Sequence, residues 1–338
     1  MSRQPKFLIV CLRRIGDVLL STPLAASIRA THPGAEIHWL VFESTASILR
    51  DSPAADEVLI YSDRPTKRET LGIARRIFMS YDFAISVQSG DRPAWMARVA
   101  ATRAYGIASQ SRGGRIRNAL MTGVSHYVGK LHRREQILRL ASMLGLTRSE
   151  TVLTPRPRAL SEVIPILPYW VLQPGAAFRY KRWNEVSWRQ LVIYLRARGK
   201  VVLVSGGGSP EETRYLDQVF QGLEVTRLDG KLNWNELVTI LLKAEGFVGV
   251  DTSTTHLAAA LNIPIFAIFG PTDPALWAPK SNGAESSVRV IQNKTIACVP
   301  CQLEGCDRHI GSASQCLELL PLSALTAQIE NAFTDKLS

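Results

Sequence analysis

The 338-residue chain contains no apolar run approaching the roughly 18 residues of a membrane span. The stretch Phe7 to Leu12 is too short for a signal core and runs straight into Arg13 and Arg14, so the expected location is the cytoplasm. G-x-G-x-x-G is also missing, which removes the main support for a nicotinamide oxidoreductase. No D-x-D occurs, so the usual acidic clamp for a metal-bound diphosphate is absent. Low-complexity tracts and long polar runs are lacking, which excludes extended disorder. Cysteine is scarce and odd in number, five in all, as suits a reducing compartment without structural disulfides. Acidic residues are outnumbered: 40 Lys plus Arg against 29 Asp plus Glu leave +11, which favours a polyanionic partner without choosing among nucleic acid, anionic lipid and phosphorylated glycan.

What is present describes a folded α/β protein of two domains. A hydrophobic fraction of 46% with 20% charged residues supports packed cores. The length suggests two units of roughly 150 residues each. Lys6 to Leu12 reads as a buried strand, and Asp17 to Ala30 as a helix stopped at His32-Pro33-Gly34. Strands at Ile37 to Phe42, Glu57 to Tyr61 and Phe83 to Gln88 alternate with helices at Arg68 to Ser80 and Arg92 to Ala100, a pattern that implies a parallel sheet. An amphipathic helix over His132 to Leu146 closes this half.

The proline-rich segment from Pro155 to Pro168 suits a semi-rigid connection. The first domain is therefore set at 1–157 and the second at 168–318. Strand and helix alternation restarts at Trp170 and continues to Phe269, the signature of a second doubly wound sheet. The closing segment 319–338 carries Leu322, Leu325, Ile329 and Phe333 at helical spacing and must dock somewhere, with the first domain as one candidate surface.

Four loops at strand ends could carry chemistry. Asp17, after the first strand, lies at the sheet edge where ligands bind, though an acidic first-turn residue is equally explained by the helix dipole. The segment Asp251-Thr252-Ser253-Thr-Thr-His256 opens a helix, where unpaired amides and hydroxyls suit a diphosphate; the bland reading makes Thr252 or Ser253 helix caps and His256 a packed imidazole. The loop Gln173 to Trp183 carries Lys181, a cation able to neutralise a leaving phosphate, or else a solvated surface charge. Glu211 and Glu212, after Ser205-Gly-Gly-Gly-Ser-Pro, could accept ribose hydroxyls or simply occupy a first helical turn.

Taken in order, Gly16-Asp17-Val-Leu-Leu-Ser-Thr-Pro23, Pro174-Gly-Ala with Lys181-Arg-Trp183, Gly206-Gly-Gly, Asp251-Thr252 with His256-Leu-Ala-Ala, and Phe269-Gly-Pro-Thr-Asp273-Pro resemble the ADP-heptose:lipopolysaccharide heptosyltransferases of glycosyltransferase family 9. The resemblance spans almost the whole chain, and the opening segment looks most like the type III branch. It implies a GT-B architecture of two Rossmann-like domains facing a central cleft, the acceptor on the N-terminal half and ADP-heptose on the C-terminal half.

Residue by residue, the resemblance makes Asp17 the general base, Lys181 a donor-phosphate contact, and Asp251, Thr252 and His256 donor-binding, with Asp251 at the heptose hydroxyls. The chain departs from the family at Ser253, where glycine is common, and at Ala176 and Ala177, where small hydroxyl residues are common. Inversion at the anomeric carbon is implied, and neither a metal nor another cofactor is required. Arg13 and Arg14 flank the base and would hold it ionised while weakening it as a base.

The implied acceptor is a phosphorylated lipopolysaccharide core on a lipid anchor, met by a peripheral protein at the inner face of the inner membrane. Arg64, Lys67 and Arg68, with Arg112 and Arg115, offer a matching basic surface or plain solvated charge. Cys298, Cys301, Cys306 and Cys316 form C-x2-C-x4-C-x9-C, compatible with a thiolate zinc site but read here as reduced structural residues. Two other classes stay open: a nucleotide-sugar-binding protein without transferase activity, and a nucleic-acid binder, for which no recognition motif exists. The same fold with another sugar or a protein acceptor is a third reading.

Overall fold

The apolar runs bounded by turn residues become the central strands of two sheets. The computed structural model describes residues 3–108, 114–160, 168–283 and 287–334, and the chain divides into two compact units, Met1–Arg156 and Pro157–Ser338. Chain order in the first unit is β1 (Lys6–Cys11), α1 (Ile15–Thr31), β2 (Glu36–Phe42), a 3-10 turn (Glu43–Leu49), β3 (Glu57–Tyr61), α2 (Lys67–Ile77), β4 (Phe83–Ser86), α3 (Asp91–Ala100), β5 (Arg103–Ile107), α4 (Gly114–Leu120), β6 (Gly123–Ser125) and α5 (Arg133–Met143). All strands pair in parallel, in the order β3-β2-β1-β4-β5-β6. Central β1 is buried from Phe7 onward, as a strand covered by helices on both faces must be.

Helix α1 runs through Pro23, which cannot donate to the Leu19 carbonyl. Thr22 Oγ1 fills that vacancy, donating to Leu19 O at 2.8 Å, and in turn accepts the Leu153 amide at 2.9 Å. The helix continues past its proline because a neighbouring hydroxyl satisfies the carbonyl the ring leaves behind.

The second unit repeats the plan with β7 (Tyr169–Gln173), a 3-10 turn (Arg179–Lys181), α6 (Glu185–Arg196), β8 (Val201–Val204), α7 (Pro210–Phe220), β9 (Thr226–Arg227), α8 (Trp234–Leu242), β10 (Gly246–Val250), α9 (Ser253–Ala260), β11 (Ile265–Phe269), α10 (Pro274–Trp277), β12 (Val288–Gln292), α11 (Gln315–Glu318) and α12 (Leu322–Thr334). Its order, β12-β11-β10-β7-β8-β9, is again wholly parallel. Both sheets therefore follow the doubly wound 3-2-1-4-5-6 plan, and each has a switch point beside its first strand, between β1 and β4 and between β7 and β10. Loops leaving the carboxyl ends of those four strands carry the residues of interest.

Within the second unit α12 packs on α6: Leu325 and Ile329 are buried with Trp188, Leu191 and Leu195, and Trp183 Nε1 donates to the Leu320 carbonyl at 2.9 Å. Each such buried aliphatic contributes about 1.5–3 kcal/mol. Among the described residues no helix is long and apolar enough to cross a membrane.

Candidate functional site

In the first unit, Asp17 occupies the first turn of α1, whose N-cap Arg14 makes no side-chain cap, so the carboxylate shares the helix terminus with unpaired amides. Its side chain is 11% exposed, and Oδ1 stands 3.5 Å from Arg133 Nε and 3.9 Å from Arg13 Nη1. Arg133, at the start of α5, is buried and fixed by a 2.8 Å bond from Nη2 to the Val87 carbonyl. One of the two arginines expected beside the base, Arg13, is thus within 4 Å of its Oδ1, and Arg133, from a distant part of the chain, joins it. Gln88, just past β4, is also buried and donates through Nε2 to Leu12 O at 3.1 Å. Beneath them, burial first and then the Asp17 charge push the Cys11 thiol up to about 12, so it stays protonated and inert.

In the second unit, the loop after β7 brings Lys181 to Asp251, at the end of β10, with Nζ 2.6 Å from Oδ2. His256 Nε2 lies 4.0 Å from Asp251 Oδ1. Three residues from three sequence positions therefore form one charged cluster at the switch point. Thr252 is the N-cap of α9 but makes no side-chain cap; its hydroxyl meets Thr255 Oγ1 at 3.3 Å, and Thr255 Oγ1 bonds Val250 O. The first amides of α9, with Ser253 at its start, remain open to an anion. Thr252 and Ser253 are accordingly helix-start residues, and first amides left without a side-chain cap are of the kind that suits an anion.

Glu211 and Glu212 take different positions. Glu211 is exposed and receives Arg182 Nη2 at 2.9 Å. Glu212 turns inward, its Oε2 accepting the Gly207 amide at 2.8 Å while Oε1 presses on Gly175, where an added Cβ would lie 1.8 Å away. Burial raises the Glu212 pKa, offset in part by the Gly207 amide and Arg182. Glu212 thus braces the turn after β7 against the turn after β8, and Gln173, bonded to Gly175 O and Ser205 Oγ, braces it from below. The glycine-rich turn approaches Gly230 so closely that a Cβ on Gly208, at φ +75°, would meet its Cα at 2.3 Å.

Of the basic residues, Arg64, Lys67 and Arg68 are exposed between β3 and the first turn of α2, on the same carboxyl edge of the sheet as Asp17. Arg112 lies outside the described residues, and Arg115 falls on α4 without a described side chain. The five cysteines are free thiols, with Cys11 and Cys316 buried, Cys298 and Cys306 exposed. Burial, with Cys301 and Cys306 nearby, pushes Cys316 up to about 11. Among the described residues no three His, Cys, Asp or Glu side chains are grouped to hold a metal ion.

The family model for glycosyltransferase family 9 (heptosyltransferase) matches residues 72–309. The chain belongs to glycosyltransferase family 9. This family 9 chain is 26% identical over 292 residues to lipopolysaccharide heptosyltransferase 3 of Escherichia coli, covering 80% of this chain and 85% of that protein. It is 28% identical over 315 residues to lipopolysaccharide heptosyltransferase 1 of Pseudomonas aeruginosa, covering 89% and 87%. The solved structure of E. coli ADP-heptose LPS heptosyltransferase II superposes with a TM-score of 0.76 at 19% identity, covering 98% of this chain and all of that one (100%), which shows the shared GT-B fold. The glycosyltransferase is thus similar to type 3 and type 1 relatives at nearly the same identity.

Proposed function

We propose that this glycosyltransferase moves heptose from ADP-heptose to the inner core of lipopolysaccharide, with inversion at the anomeric carbon. The observation that carries the donor half is the Lys181, Asp251 and His256 cluster at the open N-terminus of α9. A cation and unpaired amides at a switch point suit a sugar diphosphate. The names of the relatives, which specify heptosyltransferases and ADP-heptose, supply the sugar and nucleotide.

In this reading Asp17 accepts the proton of the acceptor hydroxyl as it attacks the anomeric carbon. The bond from that carbon to the diphosphate oxygen breaks, and the electron pair leaves with ADP. Lys181 and the amides of α9 stabilise the charge that develops there. Asp251 orients Lys181 and receives heptose hydroxyls. Glu212 holds the glycine turns near the nucleotide, and Glu211 stands at their flank. The transfer requires no divalent ion, because protein cations and amides carry the neutralisation.

Arg64, Lys67 and Arg68 face solvent on the acceptor unit's ligand edge and suit a phosphorylated core carried on lipid. The enzyme works as a peripheral protein at the inner face of the inner membrane. The four clustered cysteines serve structure as reduced thiols.

The test is release of ADP from ADP-heptose by the purified protein, with and without truncated lipopolysaccharide. Release that depends on the acceptor, with heptose recovered on the core, supports the proposal. ADP-heptose binding without acceptor-dependent release would favour a nucleotide-sugar-binding protein. Turnover with other donors or with protein acceptors would reassign the substrates.

A further inference from the structure

Three buried polar atoms at the switch point of the first sheet have no hydrogen-bond partner: Asp17 Oδ1, Gln88 Oε1 and Arg133 Nε. Asp17 Oδ1 and Arg133 Nε stand 3.5 Å apart as a charged pair without a hydrogen bond, whereas Gln88 Oε1, on a residue only 8% exposed, has no donor among the described residues, which costs about 1–3 kcal/mol. Gln88 and Arg133 are each anchored through another atom. Gln88 Nε2 donates to Leu12 O, a pure acceptor, which fixes the amide so that Oε1 is the atom left over. Arg133 Nη2 donates to Val87 O, which fixes the guanidinium plane. The loop that presents both contacts is itself tied down by Ser86 Oγ to Gln88 O at 3.0 Å and Val87 N to Val10 O at 3.2 Å.

The three atoms left without hydrogen bonds are two acceptors and one donor. A phosphate or carboxylate carries acceptors only and would face Asp17 Oδ1 and Gln88 Oε1 as repelling partners. Sugar hydroxyls each donate and accept, so a pair of them satisfies all three atoms.

We propose that Gln88 and Arg133 complete an acceptor-sugar subsite around Asp17: one hydroxyl gives its hydrogen bond to Asp17 Oδ1, a second hydroxyl of the same sugar gives its own to Gln88 Oε1, and Arg133 Nε donates to one of the hydroxyl oxygens. Anionic groups of the acceptor then bind elsewhere on the unit. The inference rests on the reading of Asp17 as the base and adds the neutral polyol character of the subsite.

The experiment compares wild type, Gln88→Leu and Arg133→Lys for acceptor KM, kcat and ADP affinity, using truncated lipopolysaccharide and monodeoxy forms of its terminal sugar. Gln88→Leu should raise acceptor KM about tenfold, with kcat and ADP affinity within threefold of wild type, as loss of a uniformly binding contact requires. One monodeoxy acceptor should reproduce that loss on wild type and suffer no further loss on Gln88→Leu. Arg133→Lys keeps the charge but loses the planar donor, and should lower kcat/KM about tenfold.

Strictly additive losses for every monodeoxy acceptor, or an acceptor KM within twofold of wild type for Gln88→Leu, overturns the subsite. Because ADP affinity reports the second unit and a thermal melt reports folding of the first, a misfolded variant is recognised, and Gln88→Asn, which keeps the amide but shortens its reach, then replaces it with an expected intermediate KM. Loss of turnover in Asp17→Asn with unchanged KM in Gln88→Leu rejects only this inference, whereas normal turnover in Asp17→Asn rejects the base assignment beneath it.

Discussion

Replacing Lys181 by glutamine separates a structural ion pair from a catalytic cation. The Nζ to Oδ2 distance of 2.6 Å corresponds to an attraction of about 6 kcal/mol at an effective dielectric constant of about 20. Desolvation opposes this, because Asp251 is only 8% exposed, whereas Lys181 at 21% keeps some water. Breaking fully buried pairs costs about 3–5 kcal/mol, and the partial exposure of Lys181 lowers the expectation here to about 2 kcal/mol. A second unit of this size should then melt about 4–8 °C lower.

Turnover responds differently. A donor that stabilises charge on the leaving group contributes about 2.7–4 kcal/mol, so kcat should fall about 100- to 1,000-fold. The double variant Lys181→Gln with Asp251→Asn no longer strands a carboxylate and should recover most of the melting temperature without recovering turnover. The assays are differential scanning calorimetry and steady-state ADP release. A kcat for Lys181→Gln within tenfold of wild type, with only the melting temperature changed, would refute the reasoning.

Other outcomes follow from single contacts. Thr22→Val removes the hydroxyl that serves both Leu19 O and Leu153 N, and should destabilise the first unit by about 2 kcal/mol in urea titration. Gly175→Ala drives a methyl into Glu212 Oε1 and should weaken ADP binding at least tenfold by calorimetry; unchanged affinity would remove Glu212 and its glycine turns from the nucleotide site. A raised thiol pKa means less thiolate at a given pH: at pH 8, Cys316, near 11, should be alkylated about a hundredfold more slowly than a thiol near 9, and Cys11 more slowly still. Mass-spectrometric mapping should find Cys298 and Cys306 labelled first.

The parts of the fold legible from sequence were those fixed by local signals. Long apolar runs gave the central strands, since β1 and β10 are buried on both faces and cannot be polar. Strands at or next to the sheet edges left weaker traces: β6 is only Gly123–Ser125, its neighbour β5 opens on an arginine and contains Gly106, and β12 reads Val-Arg-Val-Ile-Gln. At the opposite edge of the second sheet, β9 is only Thr226–Arg227, where Arg227 is drawn to Asp217 and Asp229. The docking of α12 was not legible, because helical periodicity reveals an apolar face but not its partner.

The site divides along the same line. Motif order singled out Asp17, Lys181, Asp251 and His256 as candidates, yet only the fold brings Lys181 onto Asp251 across 70 residues of chain. Gln88 and Arg133 were passed over, since a glutamine ending a strand and an arginine starting a helix look like ordinary surface residues. The available signal was composition: His132, Arg133, Arg134 and Gln136 open α5 with four polar side chains, all of them buried. Glu212 was noticed for its charge, but its role as a brace depends on Gly175, a contact between two turns that sequence does not reveal.

The most direct test of the account is Asp17→Asn, assayed by ADP release from ADP-heptose in the presence of truncated lipopolysaccharide. The substitution keeps the side-chain shape and removes its basicity. The account predicts that kcat falls about 100- to 10,000-fold while ADP affinity stays within twofold of wild type. Acceptor-dependent release within tenfold of wild type would contradict it.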